Sequence, residues 1–234
     1  MYPETADIET SSADYAKRFS GPAGEWMLKI QEQIVTDWMK SLPNATILDV
    51  GGGHGQLAIP FARLGHPVTV LGSDATCGLR LQNEKYITFK TGNVIDLPFP
   101  DKSFDAVMCI RLIPHCTRWP ELIGQLCRVA RQLVIVDYPT IQSINVFSSS
   151  MFGLKKKLEG NTRPFTLFKH SEIMNEFQKN NFEKESCRAQ FFLPMVLHRK
   201  LNSPALSSCL EGLFRMTGLT ALFGSPVLLE MKRQ

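Results

Sequence analysis

The residues able to do chemistry gather at the ends of short apolar runs. Asp49 sits in the run Ile47-Leu48-Asp49-Val50 and is followed at once by Gly51, Gly52, Gly53 and Gly55. Asp74, Asn93 and Asp137 close three further runs, and Ile110-Arg111 closes another. Glycines at this density let the backbone pass close under a ligand and take positive φ without steric cost. A helix starting just after such a loop offers free N–H groups and a positive dipole end. The combination grips something flat and polar, and a carboxylate two positions before the first glycine suits a cationic or ammonium group on it.

The elements that must hold these residues alternate. Trp26, Ile30, Ile34 and Trp38, widened by Met27 and Val35, predict a helix over Gly24–Met39. Residues Met1 to Ala13 read as a disordered or loosely docked tail, and Gly21-Pro22 as a break after a short helix near Ala16–Phe19. Strands are predicted at Ile47–Val50, Val68–Gly72, Ile87–Lys90, Phe104–Ile110 and Gln132–Asp137, with helices over Leu57–Leu64, Ala75–Glu84 and Trp119–Arg128 between them. Beyond Pro139 the pattern predicts a helix over Ser171–Phe182, a strand over Glu183–Leu193, helices over Pro194–Phe223 broken at Asn202-Ser203-Pro204 and Gly218, and a last strand at Val227–Met231. Strand and helix in turn imply a parallel sheet with right-handed crossovers, whose ligand lies outside the carboxyl ends of the strands. Asp49, Asp74, Asn93, Ile110-Arg111 and Asp137 all fall at those ends.

The glycine spacing separates two ligand classes. A dinucleotide loop needs G-x-G-x-x-G, whereas Gly51, Gly53 and Gly55 are spaced G-x-G-x-G. Asp49-Val50-Gly51-Gly52-Gly53-His54-Gly55 resembles the first motif of class I S-adenosylmethionine-dependent methyltransferases. Val68 to Asp74 resembles their second strand with its acidic end. Gly92-Asn93-Val94-Ile95-Asp96-Leu97-Pro98-Phe99-Pro100-Asp101-Lys102-Ser103-Phe104-Asp105 resembles a segment of the small-molecule branch that includes the ubiquinone and menaquinone methyltransferases. The resemblance covers about Thr46 to Asp137.

It implies a doubly wound, mostly parallel seven-stranded sheet of the Rossmann-like methyltransferase fold, with helical roof insertions. The organisation it implies is one domain over 1–234: an N-terminal tail and helices over 1–45, a cofactor-binding core over 46–138, and roof insertions with C-terminal strands over 139–234. S-adenosyl-L-methionine is the implied cofactor. Asp49 would orient its methionine part, the backbone of Gly51, Gly53 and Gly55 would pass beneath it, and Asp74 would take both ribose hydroxyls, as a two-oxygen acceptor suits a diol. Asn93 and Val94 would border adenine, with Asn where the family usually has Asp, and Ile110 would line the site. The family's usual P-G-G turn before the fifth strand is replaced by Ala130-Arg131-Gln132.

The implied activity is methyl transfer to O or C of a small acceptor, an in-line substitution that needs a base when the acceptor starts protonated. His115 is the first candidate for that base, its ordinary pKa suiting the task. Asp137 is the second, with Tyr138 beside it, and His198 a third. Packing at a helix start is the structural alternative for His115, a backbone-only role is expected of His54, and Asp105 is expected to brace the loop before its strand. Tyr15 and Arg18 are candidates to meet the cofactor's carboxylate. Phe147, Met151, Phe152, Phe165, Phe168, Phe191, Phe192 and Met195 point to an apolar acceptor, such as a quinone precursor, a lipid or a polyketide-like aromatic. Lys155-Lys156-Lys157 would then meet an anionic group or a membrane surface.

Composition narrows the alternatives. The 234 residues are 44% hydrophobic and 21% charged, ordinary for a globular domain. A net charge of +4 is too small to suggest nucleic acid as a partner. Six cysteines without a C-x-x-C pair read as reduced thiols of a cytoplasmic protein, and the acidic start Met1-Tyr2-Pro3-Glu4 does not read as a secretory signal. A protein or RNA methyltransferase is the second reading, weakened by Ile110-Arg111-Leu112-Ile113 where amino-methylating enzymes often carry N/D-P-P-Y. A non-catalytic cofactor-binding partner subunit is the third. No metal is expected.

Overall fold

The computed structural model describes residues 2–143 and 165–234. Its centre is a seven-stranded sheet made of β1 (Ile47–Val50), β2 (Val68–Gly72), β3 (Ile87–Thr91), β4 (Phe104–Cys109), β5 (Ala130–Tyr138), β6 (Phe182–Ala189) and β7 (Val227–Arg233). The strand order is β3-β2-β1-β4-β5-β7-β6. The first five strands are mutually parallel, and β7 runs antiparallel between β5 and β6. The order reverses between β1 and β4, so the carboxyl ends of these two strands border the crevice in which open α/β sheets bind ligands.

Among the described residues the helices are α1 (Ala6–Thr10), α2 (Ala13–Lys17), α3 (Gly21–Met39), α4 (Ala58–Arg63), α5 (Trp119–Val129), α6 (His170–Lys179), α7 (Met195–Leu201), α8 (Pro204–Met216) and α9 (Leu219–Phe223), with 3-10 turns at Ala75–Leu81 and Ile113–His115. Two cores lie on opposite faces of the sheet. Leu48, Val107, Cys109, Val134 and Val136 face α5 and α6 through Leu122, Leu126, Ile173 and Phe177. Ile47, Ala106, Met108, Leu133 and Ile135 face α3 and α4 through Val35, Met39 and Phe61. Side chains alternate along a strand. Asp49, Ile110 and Asp137 therefore all point to the α3 side, at the top of three adjacent strands.

Helix α3 differs from the sequence expectation in an informative way. It starts at Gly21, with Pro22 in its first turn, where the missing proline N–H leaves no bond unmade. Its buried stripe is Met27-Gln31-Val35-Met39, and Trp26, Ile30, Ile34 and Trp38 are only half-buried beside it. The helix is thus rotated so that a glutamine faces the sheet.

The N-terminal residues are not a loose tail. Helix α1 is docked, with Asp7 fully buried and Ala6 packed into the core with Val94 and Leu112. Helix α6 starts at His170, and the Glu172 carboxylate caps it by accepting the Lys169 backbone N–H at 2.8 Å. The turn before β5 is replaced by direct passage from α5 into the strand at Ala130, with Arg131 ion-paired to Asp105. Asp105 also accepts the Thr46 N–H at 2.9 Å and its hydroxyl at 2.7 Å, which ties the entries of β1 and β4 together.

Candidate functional site

The glycine loop is built for close approach. Gly51 and Gly55 have φ of +75° and +77°, where a side chain would be strained. A Cβ on Gly52 would lie 2.1 Å from the Asp49 carboxyl, and one on Gly53 would lie 2.2 Å from the Cys77 carbonyl oxygen. The loop therefore packs directly on the carboxylate that precedes it. Above it opens a recess lined by Thr10, Asp49, Gly51, Gly52, His54, Gln56, Leu57, Ile110 and Arg111.

Asp49 is almost wholly enclosed, and burial pushes its pKa up to about 7, against the pull of the Arg111 guanidinium. Its charge is thus poised to change near neutrality. His54 sends its ring into the same recess, where the sequence suggests only a backbone role. The ring lies edge-on to Tyr15 and Phe19, at centroid distances of 6.5 and 6.3 Å. Burial, together with the charges of Arg111 and Arg80, lowers its pKa to about 4, so the imidazole is neutral at physiological pH. Neither ring nitrogen has a partner among the described residues.

Arg111 is the residue that the motifs did not single out. It follows the carboxyl end of β4 with φ of 62°, an uncommon conformation for a side-chain-bearing residue. A closed circuit of hydrogen bonds holds it there. Its backbone N–H donates to Asp137 Oδ1 at 2.6 Å, and one terminal guanidinium nitrogen, Nη2, donates to Gln56 Oε1. Gln56 Nε2 donates to Gln31 Oε1 at 2.7 Å, and Gln31 Nε2 donates to Asp137 Oδ2 at 3.2 Å. This is why α3 turns Gln31 inward. The guanidinium also lies over the Phe19 ring at 4.7 Å. Its remaining terminal nitrogen, Nη1, is buried with no partner among the described residues. A buried donor in that state costs about 1–3 kcal/mol, more when charged, until an acceptor arrives.

Of the predicted site residues, the recess brings together Asp49, Gly51 and Ile110. Gly53 and Gly55 shape the loop beneath. Asp137 is buried with both oxygens engaged by Arg111 and Gln31, and burial raises its pKa. Asp74 stands away from the recess. It is exposed and caps the following turn by accepting the Thr76 N–H at 2.9 Å and its hydroxyl at 2.7 Å, which holds its pKa low. Asn93 accepts the Ile95 N–H at 3.2 Å, and Val94 is buried in the same core as Ala6.

Helix α1 occupies the end of β2. The Asp7 carboxylate accepts the Ser73 N–H at 2.6 Å and its hydroxyl at 2.5 Å, and Cys77 Sγ stands 3.4 Å away. The Ser11 hydroxyl oxygen would lie 2.5 Å from a Cβ on Gly53. The end of β2, where the resemblance places ribose, is therefore packed against α1, whose last residue, Thr10, also lines the recess.

His115 is half-buried in the turn Ile113–His115, with the Phe165 ring 5.5 Å from its own, and does not line the recess. His198 is fully buried between Trp26 and Phe191 and meets Glu211 Oε1 at 3.0 Å, far from β4 in its contacts. Tyr15 is buried under Arg18, whose guanidinium carbon is 5.0 Å from the ring centre and which pairs with Glu9. Phe168 and Phe191 are buried, Phe192 stacks on Phe214 at 4.2 Å, and Phe165 is exposed. Phe147, Met151, Phe152 and Lys155 to Lys157 lie outside the described residues. Among the described residues, no cluster of metal-ligating side chains exists.

Residues 48–135 match the family model described as a methyltransferase domain. A fatty-acid O-methyltransferase of Mycolicibacterium smegmatis is 37% identical over 90 residues, which cover 36% of this chain and 33% of that protein. A 2-phytyl-1,4-naphtoquinone methyltransferase of Trichormus variabilis is 30% identical over 135 residues, covering 51% of this chain and 58% of that protein. The chain thus spans between a third and three fifths of the length of these curated relatives. The fold is that of the magnesium protoporphyrin IX methyltransferase of Synechocystis, solved with bound SAH (S-adenosylhomocysteine). That structure superposes with a TM-score of 0.65 at 16% identity, over 97% of this chain and 98% of that one.

Proposed function

Residues 48–135 are a methyltransferase domain; from that premise we propose that the protein transfers a methyl group from S-adenosyl-L-methionine to O or C of a small apolar acceptor. One juxtaposition carries the reading. A buried carboxylate, Asp49, and a guanidinium nitrogen without a partner, Arg111 Nη1, line one recess beside a glycine loop. Opposite charges lining one low-dielectric recess recognise a zwitterion. The methionine end of the cofactor is one, with an α-ammonium for Asp49 and an α-carboxylate for Arg111.

When bound, the cofactor supplies a methyl group already activated by its sulfonium. The protein's part is to bind and orient. Gly51, Gly52 and Gly53 let the backbone approach closely, and Asp137, Gln31 and Gln56 hold Arg111 in place. Ile110 and Leu57 keep the recess partly apolar. Engagement of both its oxygens makes Asp137 a positioning residue for Arg111. His115, next along the chain after β4, is then the better candidate to take a proton from a hydroxyl acceptor. The acceptor class draws on two supports: Phe165 stands exposed beside His115, and the curated relatives are named for fatty-acid and naphthoquinone methylation.

Turnover of methyl-labelled S-adenosylmethionine with quinone precursors and fatty acids tests the reading. Label appearing in an organic-extractable product supports it. Label in protein or RNA instead would replace the acceptor class, and cofactor binding without turnover on any acceptor would favour a partner subunit.

A further inference from the structure

The three C-terminal helices are turned inside out. Helix α7 buries His198 and exposes Val196, Leu197 and Leu201. Helix α8 buries Ser207 and Glu211 and exposes Leu206, Leu213 and Met216, the last at 82%. Helix α9 buries Thr220 and exposes Leu222 and Phe223, Leu222 at 65%. A helix packed on a soluble core does the reverse.

The polar residues are inside because they fasten the layer. Glu211 accepts the N–H groups of Phe192 and Leu193 at 2.8 and 2.9 Å and meets His198 Nε2 at 3.0 Å. With the inner face so used, the apolar side chains are left outward.

The exposed charges on this layer have one sign. Between residues 189 and 229, Glu211 is the sole carboxylate, and it is buried. Lys200 and Arg215 are exposed on the same helices. We infer that α7 to α9 form a face that docks on a bilayer surface bearing anionic headgroups, with the Leu, Met and Phe side chains entering the acyl boundary. Short helices lying in the interface, apolar below and basic at the edge, bind this way. Each cation near such a surface adds attraction to anionic lipid. A second copy of the same face would set cations against cations, which disfavours self-association. Helix α8 has 13 residues, too few to cross a bilayer. No described helix is long and apolar enough to do so. The inference uses neither Lys155 to Lys157 nor the methyl-transfer reading.

Co-sedimentation with vesicles tests it, using phosphatidylcholine alone and with about a quarter phosphatidylglycerol added. The full chain should sediment with the anionic vesicles and much less with the neutral ones. The variant carrying Leu213→Glu, Met216→Glu and Leu222→Glu should lose about tenfold or more in partitioning while keeping its far-UV circular dichroism. Lys200→Glu with Arg215→Glu should remove the preference for anionic lipid. Should the triple variant misfold, Met216→Trp replaces it, and its emission should shift to the blue on anionic vesicles. Full chain left in the supernatant would overturn the inference. So would equal partitioning of the well-folded triple variant, or an unshifted Met216→Trp spectrum. A dimer in sedimentation equilibrium that the triple variant dissociates, without vesicle binding, would assign the face to a second copy instead.

Discussion

Asp137 Oδ1 accepts the backbone N–H of Arg111 at 2.6 Å and thereby holds a non-glycine residue at a φ of 62°. A left-handed conformation costs on the order of 1–3 kcal/mol and persists only where the surroundings enforce it. Here the enforcement comes from Asp137, Gln31 and Gln56 together. Its product is a guanidinium with one nitrogen free to face the recess.

Breaking that bond should therefore hurt ligand binding through Arg111. Asp137→Ala removes the acceptor of two hydrogen bonds, and a loss of about 2–4 kcal/mol in stability is expected. Asp137→Asn keeps an acceptor for the Arg111 N–H and should retain most of that stability. Thermal melts with calorimetric titration of S-adenosylhomocysteine check both. A purely catalytic base would show the opposite pattern, with stability unchanged and only kcat reduced.

Asp49 makes stability and binding respond oppositely to pH. Its folded pKa of about 7 lies above the ordinary 3.8, so the folded protein holds the extra proton between these values. Stability from this group is present below about pH 4 and is lost as pH rises towards 7. Asp49→Asn should remove that dependence. It should be more stable than wild type at pH 8, by up to about 4 kcal/mol, and no more stable at pH 4. Affinity for S-adenosylhomocysteine should rise from pH 6 to 8 in wild type as Asp49 ionises. A flat profile would show that the ammonium group is held elsewhere.

Helix α1 should compete with the adenosine half of the cofactor. Asp7 is bound to Ser73 at the end of β2, and Ala6 is packed into the core beside it. Charge-assisted hydrogen bonds of this kind contribute about 1.5–3 kcal/mol each. Asp7→Ala should free the segment and tighten binding of S-adenosylhomocysteine by about tenfold. Hydrogen exchange should show residues 6–10 deprotected when the ligand is added. Weaker binding in Asp7→Ala would mean that α1 serves the bound state rather than blocking it.

Gly52→Ala tests the loop. The added Cβ would fall 2.1 Å from the Asp49 carboxyl, so one of the two must move. Binding should be lost in a protein that remains folded by far-UV circular dichroism. Retained affinity would remove Asp49 from the site.

The central strands were legible because β1, β2, β4 and β5 carry short apolar runs bounded by turn residues, and the strand from Val68 to Gly72 has the bounds the pattern predicts. The loop and Asp49 were legible for the same local reason. What escaped was set by tertiary contacts. Gln31 interrupts an apolar stripe, and nothing local says that a glutamine there faces the sheet, because its partners are 25 and 106 residues away. Arg111 looks like an ordinary residue after a strand until Asp137 is seen beneath it. Asp7 lies in a polar segment without periodicity, so its burial depends on Ser73 and Cys77, 66 and 70 residues away. Asp74 matches a motif position, yet a threonine two residues on gives its carboxylate a local partner.

The most direct measurement is a calorimetric titration of the full chain with S-adenosylhomocysteine and with NAD, repeated for Arg111→Lys. Wild type should bind S-adenosylhomocysteine and not NAD. Lysine keeps the charge but lacks the fork that bonds Gln56 and the ligand together, so Arg111→Lys should bind at least about tenfold more weakly. Binding of NAD alone, or undiminished binding by Arg111→Lys, would contradict the assignment of this recess to the methionine end of the cofactor.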